Sequence, residues 1–172
     1  SYEIRRLYKN KDFRQIVCTL FHEIGHINDM VKYPVLYDTI ENSDDMKKVL
    51  PAKFWIEYLA EKRSVPADPS AKDFCEEFVS TSWNIQKRST GTATTGDFFY
   101  LNKALPYFIV RAEYINKDYF NQINNEIVTE YVSELCGELQ RLMEKPCFDD
   151  PKILESLYEI INRYYKKFMI HR

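Results

Sequence analysis

Apolar residues recur every three or four positions along most of the chain, a pattern that predicts helices joined by short breaks. Ile16, Val17, Leu20, Phe21, Ile24 and Ile27 predict an amphipathic to buried helix over about residues 12–32. Asp12 with Gln15 reads as its capping box, and Pro34 as its stop. Residues 1–11 read as a short strand or a lead-in loop, and the polar stretch 37–50 as a weak helix or a loop. Pro51 opens a strong helix over about 51–65, and Pro66 and Pro69 punctuate the connector after it. The next helix, about 70–88, carries Phe74, Phe78 and Ile85 on one face. Residues 89–96 hold only Ser, Thr, Gly and Ala, which makes them a candidate mobile loop.

Beyond that loop, Asp97 can cap a helix that Pro106 kinks or restarts. Asp118 can cap another over about 118–144, striped by Ile127, Tyr131, Leu135, Leu139 and Leu142. Asp150-Pro151 starts the last helix, with Ile153, Leu157, Ile160, Tyr164 and Phe168 as its stripe. Tyrosines and phenylalanines at this spacing read as core. No internal repeat is visible.

Composition narrows the class. At 172 residues, one domain with a sizeable core is the default. A hydrophobic share of 45% and a charged share of 29% exclude disorder. A net charge of −2 with both signs interspersed gives no nucleic-acid footprint, so direct nucleic-acid binding is not expected. No apolar run reaches membrane-spanning length and no signal peptide opens the chain, so neither a membrane nor a secreted role is expected. Cys18, Cys75, Cys136 and Cys147 lack CxxC spacing and read as buried free thiols of a reducing compartment, the cytoplasm. Cys18 lies four residues before His22, and a core thiol is its simplest reading.

The chemistry concentrates in His22-Glu23-Ile24-Gly25-His26, an HExxH box. On a helix, residues four apart share a face, so the two imidazoles can chelate one zinc ion. Glu23, beside the first ligand, is placed to act as a general base. A zinc site needs a third protein ligand, and Phe54-Trp55-Ile56-Glu57-Tyr58-Leu59-Ala60-Glu61 offers one. A helix apolar nearly all round is buried, and a buried carboxylate needs a cation. Glu57 therefore becomes the third ligand. Glu61, one turn on, can accept a hydrogen bond from the outer nitrogen of a ligand histidine. The competing reading pairs Glu57 and Glu61 with Lys53, Lys62 or Arg63 along the helix surface. The extended HExxHxxGxxH pattern is absent, because Asp29 and Lys32 stand where it needs glycine and histidine. His171, next to the last residue, reads as a surface histidine.

The box, followed by Glu57-x-x-Ala60-Glu61-x-x-Ser64 and Pro66, resembles the gluzincins. More narrowly, it is similar to the ImmA/IrrE-type metallo-endopeptidases of bacteria and their mobile elements. Glu61 and Ser64 depart from that group's usual Asn or Asp and Ala. The resemblance covers about residues 12–66. It implies a mainly α (α+β) fold with a zincin-like core at 1–66 and a small sheet at most; the periodicity adds a helical C-terminal part at 67–172, without counterpart in that group, packed on the core as one compact unit. Such proteins place a small sheet before the active-site helix. Only 11 residues precede that helix here, so the resemblance implies strands upstream of this chain. It also implies Zn2+ as cofactor, hydrolysis of a peptide bond, and a protein or peptide substrate such as a transcriptional regulator. No motif selects the residue that stabilises the oxyanion. Two other classes stay open: a metal-bound regulatory or toxin–antitoxin-type binding module with little proteolysis, and a zinc-stabilised structural or phage-encoded protein.

Overall fold

A computed structural model describes residues 10–89, 95–145 and 148–170. Among them are seven α-helices: α1 (Lys11–Lys32), α2 (Pro34–Asn42), α3 (Met46–Ser64), α4 (Ala71–Ser89), α5 (Thr95–Ile115), α6 (Glu126–Met143) and α7 (Glu155–Ile170). Short 3-10 turns at Val65–Ala67, Lys117–Gln122 and Pro151–Leu154 join them. The described residues contain no strand, so the mainly helical expectation holds at that level. The expectations for residues 1–9, for residues 90–94 of the Ser/Thr/Gly stretch, and for Cys147 and His171 lie outside the described residues.

Caps decide several boundaries that periodicity misplaces. The N-cap of α1 is Asn10, whose side chain accepts from the backbone N–H of Asp12 and Phe13, in place of the Asp12 box. Asp45 caps α3 through the N–H of Lys47, so this helix starts one turn before Pro51, which sits inside it. There the proline forfeits a single backbone hydrogen bond, which the cap and burial outweigh. Asn125 caps α6, accepting from Val128 N–H. Asp118 instead lies in the preceding 3-10 turn, so the helix expected over 118–144 divides in two. Asp150 caps a 3-10 turn that leads into α7, accepting from Lys152 N–H.

Helix α3 is the axis of the molecule, with α1, α2, α5 and α7 packed around it. Phe54, Trp55, Ile56, Tyr58, Leu59 and Ala60 are six of its buried residues, which face outward in every direction. Burying a large apolar side chain contributes about 1.5–3 kcal/mol, so this helix is held from all sides. A single apolar core draws on residues either side of position 66, from Tyr33 to Phe168. In α6 and α7 the expected stripes point inward: Tyr131, Leu135, Leu139 and Leu142 are buried, as are Leu157, Tyr164 and Phe168. Among the described residues no helix is long and apolar enough to cross a membrane.

Helix α1 packs differently from the sequence expectation. Its existence and length match the spacing, but its rotation does not. Ile16, Leu20, Phe21, Ile24 and Ile27 are exposed at 66%, 56%, 51%, 48% and 64%. The inward stripe is Cys18, Gly25 and Asp29, with His22 nearly covered between them. These positions fall at i, i+7 and i+11 with His22 at i+4, one face of a helix. Two features set that rotation. Gly25 faces Ala60 of α3, where an added Cβ would stand at ordinary van der Waals contact, 3.4 Å from Ala60 Cα, so α1 lies directly against α3 here. Asp29, fully buried, takes two 2.6 Å hydrogen bonds from the Arg63 guanidinium. Specific polar pairing has thereby overridden the hydrophobic stripe.

Candidate metal centre

The rotation of α1 turns His22 and His26 toward the one face of α3 that carries carboxylates. Their Nε2 atoms lie 3.0 Å apart. Glu57 Oε2 lies 3.4 Å from His22 Nε2 and 3.7 Å from His26 Nε2. One ligand atom from each of the three residues falls within 4.8 Å of the others. A tetrahedral site with donors about 2.0–2.1 Å from its centre has edges of roughly 3.3–3.4 Å, close to these three separations. Among the described residues this is the one cluster of its kind.

Neighbours fix the orientation of each ring. The Tyr37 hydroxyl on α2 donates to the His26 backbone carbonyl at 3.0 Å. Its oxygen is then free to accept from His26 Nδ1–H at 3.1 Å. His22 Nδ1 faces Glu61 Oε2 at 3.4 Å, a carboxylate that can only accept. Both Nδ1 atoms therefore carry protons, and the lone pairs of two neutral rings would face each other across 3.0 Å. Such a pair repels unless a cation, a proton or a metal ion, lies between. The donor set thus fits a metal ion on its chemistry as well as its spacing.

Helix α5 supplies the outer support. The Tyr107 hydroxyl donates to Glu57 Oε2 at 2.7 Å, and the ring stacks on His22 with centroids 5.7 Å apart. One turn on, Arg111 Nε donates to Glu61 Oε1 at 2.7 Å. The same guanidinium reaches the buried Asp68 carboxylate at 3.0 Å. The i, i+4 pair Glu57 and Glu61 thus meets the i, i+4 pair Tyr107 and Arg111 rung by rung. The competing helix-surface pairs do not form, because Arg63 holds Asp29 and Lys62 reaches toward Glu113 at 3.7 Å.

The charges respond to this packing. Glu57, then Glu61, raise His22 to about 9 against the opposing effect of burial. Burial pushes Glu57 up, but its neighbours His22, His26 and Tyr107 outweigh it and hold the carboxyl well below its ordinary range. Burial, reinforced by Glu57, keeps the Tyr107 hydroxyl protonated far above neutrality. Burial likewise pushes the Cys18 thiol up to about 11, leaving it an inert core thiol outside the ligand cluster.

Beside the three candidate ligands opens a cleft of about 710 Å3, and Glu23, His26 and Glu57 all line it. Glu23 is exposed on α1, facing solvent rather than the core. The structure therefore brings together all five residues singled out from the sequence: three at the cluster, Glu61 behind His22, and Glu23 on the cleft wall. Tyr37, Asp68, Tyr107 and Arg111 escaped the sequence reading. Only the 107/111 spacing, which repeats that of 57/61, hinted at two of them.

Compared with protein-family models, with curated proteins and with solved structures, the chain matches none of them.

Proposed function

We propose that the chain is a zinc-dependent metallo-endopeptidase that hydrolyses a peptide bond in a specific protein substrate. One observation carries this reading. Two imidazole nitrogens and a carboxylate oxygen converge at tetrahedral edge lengths, beside a cleft whose wall also holds Glu23. Three protein ligands of types His, His and Glu leave one position open, the arrangement of catalytic rather than structural zinc. Zinc, when bound, supplies a Lewis acid that polarises the peptide carbonyl and makes water acidic enough to lose a proton near neutrality.

The residues of the chain do the rest. Glu23 accepts a proton from the attacking water and returns it to the leaving amine. Tyr37 and Glu61 keep both imidazoles in the tautomer that presents Nε2 inward. Arg111 holds Glu61 in place against burial. Tyr107, protonated, donates to Glu57 Oε2 and so orients the carboxylate that would be the third ligand. The resemblance to the ImmA/IrrE-type peptidases, a zincin-like core for residues 1–66, a cytoplasmic setting and a transcriptional regulator as substrate belong to the same proposal.

The alternative, a metal-bound regulatory binding module, is favoured by the apolar outer face of α1, which catalysis does not need. Metal analysis of the wild type beside His22→Ala and Glu57→Ala tests the site: about one zinc per chain is expected, lost in both variants. Full occupancy in Glu57→Ala would remove it from the ligand set. Glu23→Gln should retain zinc and lose cleavage of a protein substrate. A wild type that binds its partner as tightly as Glu23→Gln and never cleaves it would establish the alternative.

A further inference from the structure

The cleft that opens on the metal centre has a defined chemistry of its own. Ile40 of α2, Met46 and Leu50 of α3, and Phe99 and Pro106 of α5 form apolar walls. Met46 and Phe99 remain 48% and 41% exposed, so the walls have apolar area left for an occupant to cover. The volume of about 710 Å3 falls in the range that encloses a few side chains rather than a protein surface. Two cations interrupt the apolar lining, Lys53 and Lys103. Both are exposed, and neither forms an ion pair among the described residues.

Their positions are correlated. Lys53 lies one turn before Glu57 on α3, and Lys103 one turn before Tyr107 on α5. The Tyr107 to Glu57 hydrogen bond joins the two helices at the next level. Both lysines, four residues back, therefore stand about 6 Å along their helices from the level of Glu57 and Tyr107. An extended peptide advances about 3.3 Å per residue, so that offset corresponds to roughly two residues. Charge complementarity then names the occupant.

We propose that this cleft selects a peptide segment presenting a large apolar side chain to the Ile40, Met46 and Leu50 wall, with a carboxylate about two residues away between Lys53 and Lys103. The inference rests on the peptidase reading and adds to it the class of substrate. An exposed ion pair contributes little alone, but two lysines around one carboxylate favour it over a neutral residue by about tenfold at low salt.

The test separates binding from cleavage. Fluorescein-labelled decapeptides on an Ala/Ser background carry one leucine and, two positions away, Glu, Gln or Lys. Their affinity for zinc-loaded Glu23→Gln protein is read by fluorescence anisotropy. The expected order is Glu over Gln over Lys, with about a tenfold step between the first two that shrinks in 0.5 M salt on the order of several-fold. Lys53→Glu/Lys103→Glu, two exposed positions, should reverse the order. Met46→Glu, at the exposed start of α3, should weaken the leucine peptides and leave an alanine control unaffected. Equal affinities, an order unchanged by the charge swap, or no binding to any peptide overturns the proposal. Ordered binding to Glu23→Gln without cleavage by the wild type would leave the selectivity standing and refute the peptidase reading alone.

Discussion

The tie between Asp29 and Arg63 makes a demanding prediction, because it joins the helix that carries His22 and His26 to the helix that carries Glu57. Asp29 is 0% exposed and receives two hydrogen bonds of 2.6 Å from one guanidinium. Arg63→Met keeps the aliphatic length of the side chain and removes both donors, leaving a buried carboxylate with no partner. Breaking a buried pair from one side costs about 3–5 kcal/mol. The Arg63 side chain is 34% exposed, so water can relax the vacancy and the lower figure, about 3 kcal/mol, is the working value. For a chain of this size that is a fall in melting temperature of about 6–12 °C. Asp29→Leu/Arg63→Met, which removes both charges, should recover most of the loss, since apolar replacement of a buried pair is near neutral. The assay is thermal unfolding by circular dichroism on the wild type, both single variants and the double. Zinc affinity, measured by competition with a chromophoric chelator, should fall about tenfold in Arg63→Met, because α1 is no longer held in register with α3. A melting temperature within about 2 °C of wild type for Arg63→Met would show that the bridge does not set the rotation of α1, and the explanation given for that rotation would be wrong.

Glu61→Gln keeps the shape of the side chain but removes the charge behind His22, and should weaken zinc binding about 10–100-fold in the same competition assay. Tyr107→Phe deletes the donor on Glu57 Oε2, and should lower zinc affinity about tenfold; affinity equal to wild type in the same competition assay would remove Tyr107 from the orienting role. Zinc uptake should release about one proton from His22 below pH 8, read by calorimetry in buffers of different ionisation enthalpy. His22 in the metal-free protein is raised from 6.5 to about 9, so its stabilisation of that form is complete below 6.5 and is lost as pH rises through about 9. Zinc affinity should run the opposite way, climbing about tenfold per pH unit up to that value.

How much of this was written in the sequence depends on whether the feature is local. The three candidate ligands and their helices were legible, since HExxH needs only helical spacing and Glu57 stands out on an otherwise apolar helix. The caps were half legible. Asn10, Asp45 and Asn125 are ordinary capping residues, but Asp12, Pro51 and Asp118 compete with them within a few positions, and periodicity cannot choose. The rotation of α1 was not legible. Its exposed face is the more apolar one, and only the partners Ala60 and Arg63, over 30 residues away, reveal which face turns inward. Tyr37, Asp68 and Arg111 were invisible for the same reason: each acts through a neighbour brought to it by tertiary packing.

The balance of charge in the candidate centre gives a physical reason for a proton and the proposed metal ion to compete there. Glu57, Glu61 and Asp68 bring three negative charges into a region where Arg111 brings one positive charge. With both imidazoles neutral the group carries two negative charges, which is costly in a partly dry setting. A proton on His22 offsets one of them, and that is the physical content of its rise to about 9. A divalent cation between the two Nε2 atoms and Glu57 offsets both. The proton and the ion would occupy the same gap between lone pairs 3.0 Å apart, so they exclude each other. Arg111 tunes that contest from a distance. It neutralises Glu61 enough to bury it, yet leaves the Oε2 oxygen facing His22, so the ring stays oriented when its proton is given up. Arg111→Leu would therefore do more than loosen a salt bridge: it would leave Glu61 charged and buried with only His22 to answer it, driving the ring toward its protonated, metal-rejecting form.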